Sequence, residues 1–237
     1  MSNIATATSP RRLSGNALKV IAATTMVVDH IGVVFFPYMA LFRIIGRLAF
    51  PIFAFMIAEG CHYTKNRLRY FLGIFVLGVI CQVVYFVASG DTYMNILLTF
   101  SCSIPIVYLL QEWKERQQHI FMIPFAASVA AAYILTQYLQ MDYGFWGMMV
   151  PVFVTFAYPV KRAPITEPQH LVRVGMLALA LIPSVIEYPV IRWYSFLSLP
   201  ILLLYSGKRG KGNFKYAFYL FYPLHLAALQ VIAWILM

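Results

Sequence analysis

An aspartate and a histidine stand side by side inside a long apolar run. The run extends from Leu18 to Phe36, and Asp29 and His30 lie well within it. A titratable group in hydrocarbon is costly, so it is rarely kept there without a partner or a chemical role. Neutral imidazole suits a general base or a transient acyl acceptor near neutral pH. We therefore take this pair as the centre of the candidate site.

Helical geometry separates the two side chains of the pair. Lys19 and His30 are eleven positions apart, so they share one face and lie roughly 16 Å apart along the helix axis. A cation at one end of a face and a base at the other suit a long-armed cofactor such as an acyl-coenzyme A. The alternative for Lys19 is a positively charged anchor on the cytoplasmic side, and we favour it when Lys19 is considered by itself. The alternative for His30 is a histidine that only makes a structural hydrogen bond. For His30 we favour the functional interpretation.

Asp29 points about 100° away from His30 around the helix. Residues equidistant from the turn near residue 39 lie at similar depth, so Asp29 is expected to face Arg47 of the second span. An Asp29–Arg47 pair would cancel two charges that the membrane penalises. This pair is therefore predicted to build the pocket, and Arg43, one turn nearer the outer surface, is expected to be interfacial.

Other polar side chains lie in the apolar spans. His225 and Tyr222 are three residues apart in FYLFYPLHL, on one helix face, and a second histidine at membrane depth predicts a site shared with His30. The alternative is a histidine that only packs. Glu59 ends the second span and would either serve substrate or acid–base chemistry or pair with the basic loop that follows it. The pairing is the favoured alternative.

Several loops carry groups that suit a ligand. The loop SGKRGKGNFK presents backbone amides with Lys208, Arg209 and Lys211, and Lys65 and Arg67 follow the second span. Amides and cations together suit phosphates, although positive-inside anchoring explains the same charges.

The loop DYGFWG, with Asp142 and Tyr143, is expected to face outside and contact an acceptor. No metal site is predicted, because the three cysteines show no ligand spacing. Serine-hydrolase and zinc-protease motifs are also absent from the sequence.

Composition identifies the elements that must position these groups. Of 237 residues, 62% are hydrophobic and 11% are charged, with a mean hydropathy of +0.76, whereas a soluble domain has about a quarter charged residues. Apolar runs of helix-spanning length predict an all-α, polytopic membrane bundle rather than a β-barrel. The net charge of +10 lies in short tracts between apolar runs, so nucleic acid is not an expected partner and the lipid bilayer is.

About nine spans are predicted, following a polar, disordered cytoplasmic tail at 1–16. A single transmembrane acyltransferase-like domain is predicted over 17–237, with spans at 17–37, 42–62, 69–89, 94–111, 119–139, 143–159, 172–188, 192–206 and 214–236. Positively charged tracts alternate with loops that have almost none. Nine spans place every such tract in the cytoplasm, with the amino end inside and the carboxyl end outside.

Five segments carry a resemblance to a known family. LKVIAATTMVVDHIG, GRLAFPIFAFMIAEG, DYGFWG, LLLYSGKRG and FYLFYPLHL resemble the TraX family, in that order and across nearly the whole chain. That family includes the acetylase of F-type conjugative pilin. The TraX family in turn resembles a larger group of membrane acyltransferases, which includes the acyltransferase-3 proteins and heparan-glucosaminide acetyltransferase. In acyltransferase-3 proteins the first helix has an arginine and a histidine at the spacing that separates Lys19 from His30 here. Lysine replaces that arginine in this chain, and it lacks the planar guanidinium that suits phosphate or carboxylate.

The resemblance implies a multi-pass enzyme of the bacterial inner membrane. Acetyl-coenzyme A would bind on the cytoplasmic side, and the acceptor, a pilin peptide or a glycan, would come from the membrane or periplasmic side. His30 would be the base or acetyl acceptor, with Asp29, Arg47 and His225 in support. Lys19 and the basic loops would hold the coenzyme.

Two other functions fit the same residues. Buried Asp, His and Arg groups with helix-breaking prolines also suit a proton-coupled small-molecule transporter. The odd span count and the lack of a visible repeat argue against this alternative. The third is a scaffold for assembly of a surface structure, which would tolerate substitution of the buried charges.

Overall fold

The structure is a computed structural model, and it describes residues 13–160, 165–186, 190–212 and 215–236. Every element in these residues is helical. The α-helices are α1 (Gly15–Phe35), α2 (Ala40–Gly46), α3 (Ala49–Tyr63), α4 (Arg67–Ser89), α5 (Ile96–Arg116), α6 (Met122–Tyr138), α7 (Gly144–Phe156), α8 (Glu167–Ile186), α9 (Ser198–Leu203) and α10 (Lys215–Leu236). Short 3₁₀ segments at His119–Phe121 and Val190–Leu197 precede α6 and α9.

The predicted all-α membrane architecture is confirmed. In the described part of the chain, seven helical spans are long and apolar enough to cross a membrane, and two shorter apolar ones cover Gly144–Phe156 and Val190–Leu203. The helix α1 begins at Gly15, two residues before the predicted span, because Ser14 accepts a hydrogen bond from the amide of Ala17 and caps the helix. Residues 1–12 of the predicted tail lie outside the described residues.

The second predicted span is broken rather than continuous. The helix α2 ends at Gly46 and α3 starts at Ala49. Pro51 has no N–H to bond the carbonyl four residues earlier, and its ring would clash with that carbonyl, which belongs to Arg47. The break therefore falls just before Pro51, and it leaves Arg47 between two helices.

The described basic tracts meet at one end of the bundle. The amide of Gly15 donates to the carbonyl of Lys208, Lys114 donates to the carbonyl of Tyr158, and Arg67 pairs with Glu112. We call this the basic end. Met94 and Met141 pair through their backbones at the opposite end. Lys161 and Arg162 lie outside the described residues, as do Arg11 and Arg12.

The helix α3 forms the centre of the packing. Ile52, Ala54, Phe55 and Ala58 are fully buried, and α3 contacts α1, α5, α7 and α8. A helix that is apolar all round belongs in such a position. Large apolar side chains are exposed on α4, α6 and α10, which suits contact with lipid. The outer helix α10 packs on α1 and so brings the last span beside the first.

Candidate functional site

The two intramembrane histidines touch each other. Nδ1 of His30 on α1 lies 2.9 Å from Nε2 of His225 on α10. The ring centroids are 5.1 Å apart and the planes differ by 7°. The predicted meeting of these histidines is thus confirmed. Tyr222 packs edge-on against His225, with centroids 5.4 Å apart, as their shared helix face predicted.

Hydrogen bonding sets the tautomers of the neutral rings. Nδ1 of His225 lies 3.1 Å from the carbonyl oxygen of Phe221, and because a carbonyl can only accept, this nitrogen carries the proton. Nε2 of His225 is then a hydrogen-bond acceptor, and the Nδ1–H group of His30 donates to it. The remaining nitrogen of His30, Nε2, keeps its lone pair. Nε2 of His30 is therefore a basic nitrogen whose ring orientation is fixed by the hydrogen bond to His225.

Asp29 is held by two arginines. Nη2 of Arg47 lies 3.1 Å from each carboxylate oxygen of Asp29, which confirms the predicted pair. Arg43, which was expected to be interfacial, also pairs with this carboxylate, since its Nη1 donates to it at 2.7 Å. Arg43 and Arg47 both reach α1 because they are four residues apart, with the amide of Arg47 bonded to the carbonyl of Arg43, and so share one helix face. The side chain of Arg43 is still 34% exposed, whereas that of Arg47 is 9% exposed.

A glycine makes room for this carboxylate. A Cβ atom added at Gly46 would collide with the side chain of Asp29. The helix α2 therefore approaches α1 closely only because residue 46 has no side chain. This contact fixes the height at which Asp29 meets Arg43 and Arg47.

The loop before α7 closes the arginine cluster. Nη1 of Arg47 donates to the hydroxyl of Tyr143 at 3.0 Å, and the Tyr143 ring stacks on Phe50 with centroids 3.7 Å apart. The guanidinium of Arg192 lies 4.5 Å from the centre of the same ring. Tyr143 has φ +60°, a conformation that costs a non-glycine residue about 1–3 kcal/mol and is often kept at functional sites.

Asp142 lies beside this cluster at the opposite end. Its amide donates to the carbonyl of Met94, and its own carbonyl accepts the hydroxyl of Thr99, both at 3.0 Å. Burial raises the pKa of the Asp142 carboxyl, and the charges on Arg47 and Arg192 oppose that change. The predicted acceptor loop is therefore joined to the Asp29 pocket through Tyr143.

The predicted coenzyme cations separate into two groups. Lys208, Arg209 and Lys211 are exposed on the loop that covers the start of α1, where the Asn16 side chain donates to the Lys211 carbonyl. Lys19 lies one turn further along α1, with its ammonium 6.0 Å from the Phe218 ring centre.

The second group belongs to another part of the basic end. Lys65 is exposed on the loop between α3 and α4. Arg67 pairs with Glu112 and approaches Glu115 at 3.8 Å, so its charge is already compensated. The first group is the one on the face that leads along α1 to His30.

The favoured pairing of Glu59 with the basic loop is wrong. Its Oε1 accepts the hydroxyl of Tyr205 at 2.7 Å. Burial and the nearby Glu59 raise the pKa of Tyr205, so the phenol stays a donor. The side chain points inward because the C-terminal part of α3 packs against α8 and α9, where it lies within electrostatic range of Arg173.

Sequence reasoning missed three arginines of these clusters. The sequence did not mark Arg173 or Arg192 as site residues, and it predicted an interfacial position for Arg43. The available signal was a charge within a few residues of an apolar run, which tends to turn into the protein. Across the described ranges, no group of three His, Cys, Asp or Glu side chains could hold a metal ion.

Two known bacterial proteins are similar in sequence to this chain. The chain is 28% identical over 244 aligned residues to the probable fimbrial assembly protein FimC, serogroup H1, of Dichelobacter nodosus, covering 90% of this chain and 92% of that protein. It is 39% identical over 66 residues to the uncharacterized protein RP591 of Rickettsia prowazekii (strain Madrid E), covering 28% and 25% of the two chains.

No solved structure matches. The family model for TraX protein matches residues 14–233, which takes in both histidines, the arginine cluster and the loop before α7. The match includes all the segments that carry the predicted resemblance and nearly the whole bundle. This multi-pass membrane protein therefore belongs to the TraX family.

Proposed function

We propose that this protein is an integral membrane acetyltransferase of the bacterial inner membrane. It moves an acetyl group from cytoplasmic acetyl-coenzyme A to an acceptor amine or hydroxyl. The observation that carries the proposal is the contact between His30 and His225, which leaves Nε2 of His30 as a basic nitrogen within the bundle. TraX membership and a relative named for fimbrial assembly favour a pilin amino terminus as the acceptor.

The chemistry needs one base. Nε2 of His30 removes the proton from the acceptor as its nitrogen or oxygen attacks the thioester carbonyl carbon. The new C–N or C–O bond forms, the C–S bond breaks, and the proton passes from His30 to the leaving thiolate. Throughout the reaction, Nε2 of His225 accepts the hydrogen bond from the Nδ1–H group of His30. His225 thereby stabilises the imidazolium that His30 becomes between its two proton transfers.

The arginine cluster supports the charge that develops on the carbonyl oxygen. The guanidinium of Arg43 has five N–H donors, and the one on Nη1 that reaches Asp29 fixes its direction. Because Arg43 is partly exposed, it is the guanidinium that a bound thioester can approach. A preorganised cation at this point stabilises the tetrahedral oxyanion.

The donor would enter at the basic end. Lys19, Lys208, Arg209 and Lys211 cluster at the start of α1, and their charges suit the phosphates of a coenzyme. From Lys19 the helix rises roughly 16 Å to His30, a length that the pantetheine arm can span. The basic end would then face the cytoplasm, in line with the positive-inside rule.

The test is acetyl transfer by purified protein in proteoliposomes. Labelled acetyl-coenzyme A is supplied with a membrane extract, and the labelled acceptor is identified by mass spectrometry. We expect His30→Ala to lower transfer about 100-fold or more, whereas His119→Ala, at an exposed histidine of the basic end, leaves it unchanged. Full transfer by a folded His30→Ala protein contradicts the mechanism. Solute uptake driven by a pH gradient, without coenzyme binding, would instead identify a transporter.

A further inference from the structure

Arg173 on α8 is a buried charge that the mechanism above does not use. Its side chain has no exposed surface, and its guanidinium carbon lies 5.1 Å from the Phe55 ring centre and 4.7 Å from that of Tyr158. Nη2 donates to Nδ1 of His170 at 2.8 Å, and Nε2 of His170 donates to the carbonyl of Leu202. We call Glu59, Tyr158, His170, Arg173 and Tyr205 the Arg173 cluster.

Three side chains of this cluster, Glu59, Tyr158 and Arg173, have buried polar atoms without a hydrogen-bond partner among the described residues. Among the described residues, Nε and Nη1 of Arg173 have no hydrogen-bond partner. The same holds for Oε2 of Glu59, which is 6% exposed. The two charges are close enough to interact, yet they form no ion pair in the described part of the chain. Unpartnered donors and an unpartnered acceptor therefore lie within electrostatic range of one another.

This arrangement is costly unless another molecule completes it. A buried polar atom without a partner loses its hydration and gains nothing in return. A direct ion pair between Glu59 and Arg173 would remove that cost if the cluster only held helices together. Holding the two groups apart instead leaves both available to a third group.

The charges of the cluster select the kind of group. Glu59 and Arg173 cancel, so a bound anion such as phosphate would leave an uncompensated charge in a low-dielectric interior. A neutral group fits better, provided that it offers an acceptor to Arg173 and a donor to Glu59. An amide has both, a carbonyl oxygen and an N–H, in fixed positions.

Depth indicates which amide. Twelve residues separate Arg47, just before α3, from Glu59, which is about 18 Å of rise at helical spacing, and Arg47 lies at the level of Asp29 and His30. The amide next to the sulfur of pantetheine lies too near the thioester to reach Glu59. The farther amide lies roughly 8 Å from the sulfur when the arm is extended. The acetyl group, the acceptor atom and the long side chains of Glu59 and Arg173 span the remainder.

We propose that Glu59 and Arg173 bind the pantetheine amide farther from the sulfur, with Glu59 accepting its N–H and Arg173 donating to its carbonyl. This inference rests on the proposed acetyltransferase function. The cluster lies next to the start of α1, because the hydroxyl of Tyr205 would lie 3.5 Å from a Cβ atom at Gly15. The exposed cations Lys208 and Lys211 are on the same loop.

The test compares donors that differ in this amide. Acetyl transfer is measured with acetyl-coenzyme A, with S-acetylpantetheine, and with S-acetyl-N-acetylcysteamine, which lacks the farther amide. We expect Arg173→Met and Glu59→Gln each to lower kcat/KM about tenfold or more for the two long donors and to leave the short donor unchanged. Arg116→Met, at a surface ion pair, serves as the control and should change none of them.

Each outcome bears on a different claim. An equal loss for all three donors would show a structural role for the cluster and overturn the inference, and so would no loss at all. Glu59→Gln keeps the size of the side chain, so it remains informative if Arg173→Met does not fold, as judged by size-exclusion chromatography. Failure of the wild-type protein to use any of the three donors overturns the proposed function itself.

Discussion

The histidine pair gives the proposed site a direction for proton transfer. His225 is anchored through Nδ1 to its own helix at Phe221, and His30 is anchored through Nδ1 to His225. Both bonds together aim Nε2 of His30 and leave its lone pair available for a proton from the substrate. His225 is therefore a positioning residue rather than a second base.

Replacing His225 with phenylalanine separates this positioning role from packing. The phenyl ring keeps the apolar contacts with Phe221 and Tyr222 but cannot accept the Nδ1 proton of His30, which loses about 1–3 kcal/mol of hydrogen-bonding free energy. We expect kcat for acetyl transfer to fall about tenfold or more with little change in KM. A rate within twofold of wild type would show that His225 does not orient His30.

Asp29 stabilises the fold through its arginines. Removing one partner of a buried ion pair leaves the other charge unpaired and costs about 3–5 kcal/mol, so Asp29→Asn should lower the thermal unfolding midpoint in detergent strongly. Arg43→Gln should lower it much less, because Arg43 is one-third exposed and such pairs contribute about 0–1 kcal/mol. Equal effects of the two substitutions would show that Arg47 does not depend on Asp29.

At the scale of elements, the close approach of α2 to α1 creates the pocket. The amide of Arg47 donates to the carbonyl of Arg43 as in a helix, so the two arginines, four residues apart, lie on one face. Gly46 lets α2 come close enough to α1 for them to share Asp29. The interior position of α3 then holds this geometry against the loop of Tyr143.

A pair of glycine substitutions measures that close approach. Gly46→Ala forces a methyl group into Asp29, and we expect a loss of about 1–3 kcal/mol in unfolding free energy, as in other overpacked sites, together with reduced transfer. Gly175→Ala meets nothing within 4 Å in α8, so it should stabilise the helix by about 0.5–1 kcal/mol. Similar midpoints for the two variants would rule out the proposed contact.

At the scale of the molecule, charge is divided between the two ends of the bundle. The basic end carries the exposed lysines and arginines, and the opposite end carries Asp142 with the buried arginines that surround Tyr143. In the proposed reaction the donor and the acceptor approach the histidines from these two ends. The membrane potential and the positive-inside rule favour the basic end in the cytoplasm.

Cysteine labelling in whole cells tests this orientation. Lys208→Cys at the basic end should react with a membrane-impermeant maleimide only after the inner membrane is opened. Ser89→Cys, at the other end of α4, should react once the outer membrane alone is permeabilised. The native Cys61 and Cys81 are buried and Cys102 is half-buried, so labelling of the protein without an added cysteine gives the background to subtract. The reverse pattern would place the basic end outside.

Much of this architecture was predictable, because it depends on patterns that are local in the chain. Apolar runs of spanning length and the spacing of basic tracts indicate a nine-span bundle, since each run must satisfy its own backbone inside the membrane. Helical periodicity separates His30 from Asp29, and depth matching about the first turn predicts the Asp29–Arg47 pair. These inferences need no knowledge of how distant helices pack.

The packing of distant helices decided the rest. That His225 lies beside His30, 195 positions earlier, depends on α10 closing against α1. Glu59 turned from the adjacent loop to Tyr205 because α9 and α8 cover the end of α3, and Arg173 became fully buried for the same reason. A side chain at a helix end has several partners within reach, and interhelical contacts select among them at differences of a few kcal/mol. The tertiary structure therefore determined which charged groups are paired and which keep polar atoms without a partner among the described residues.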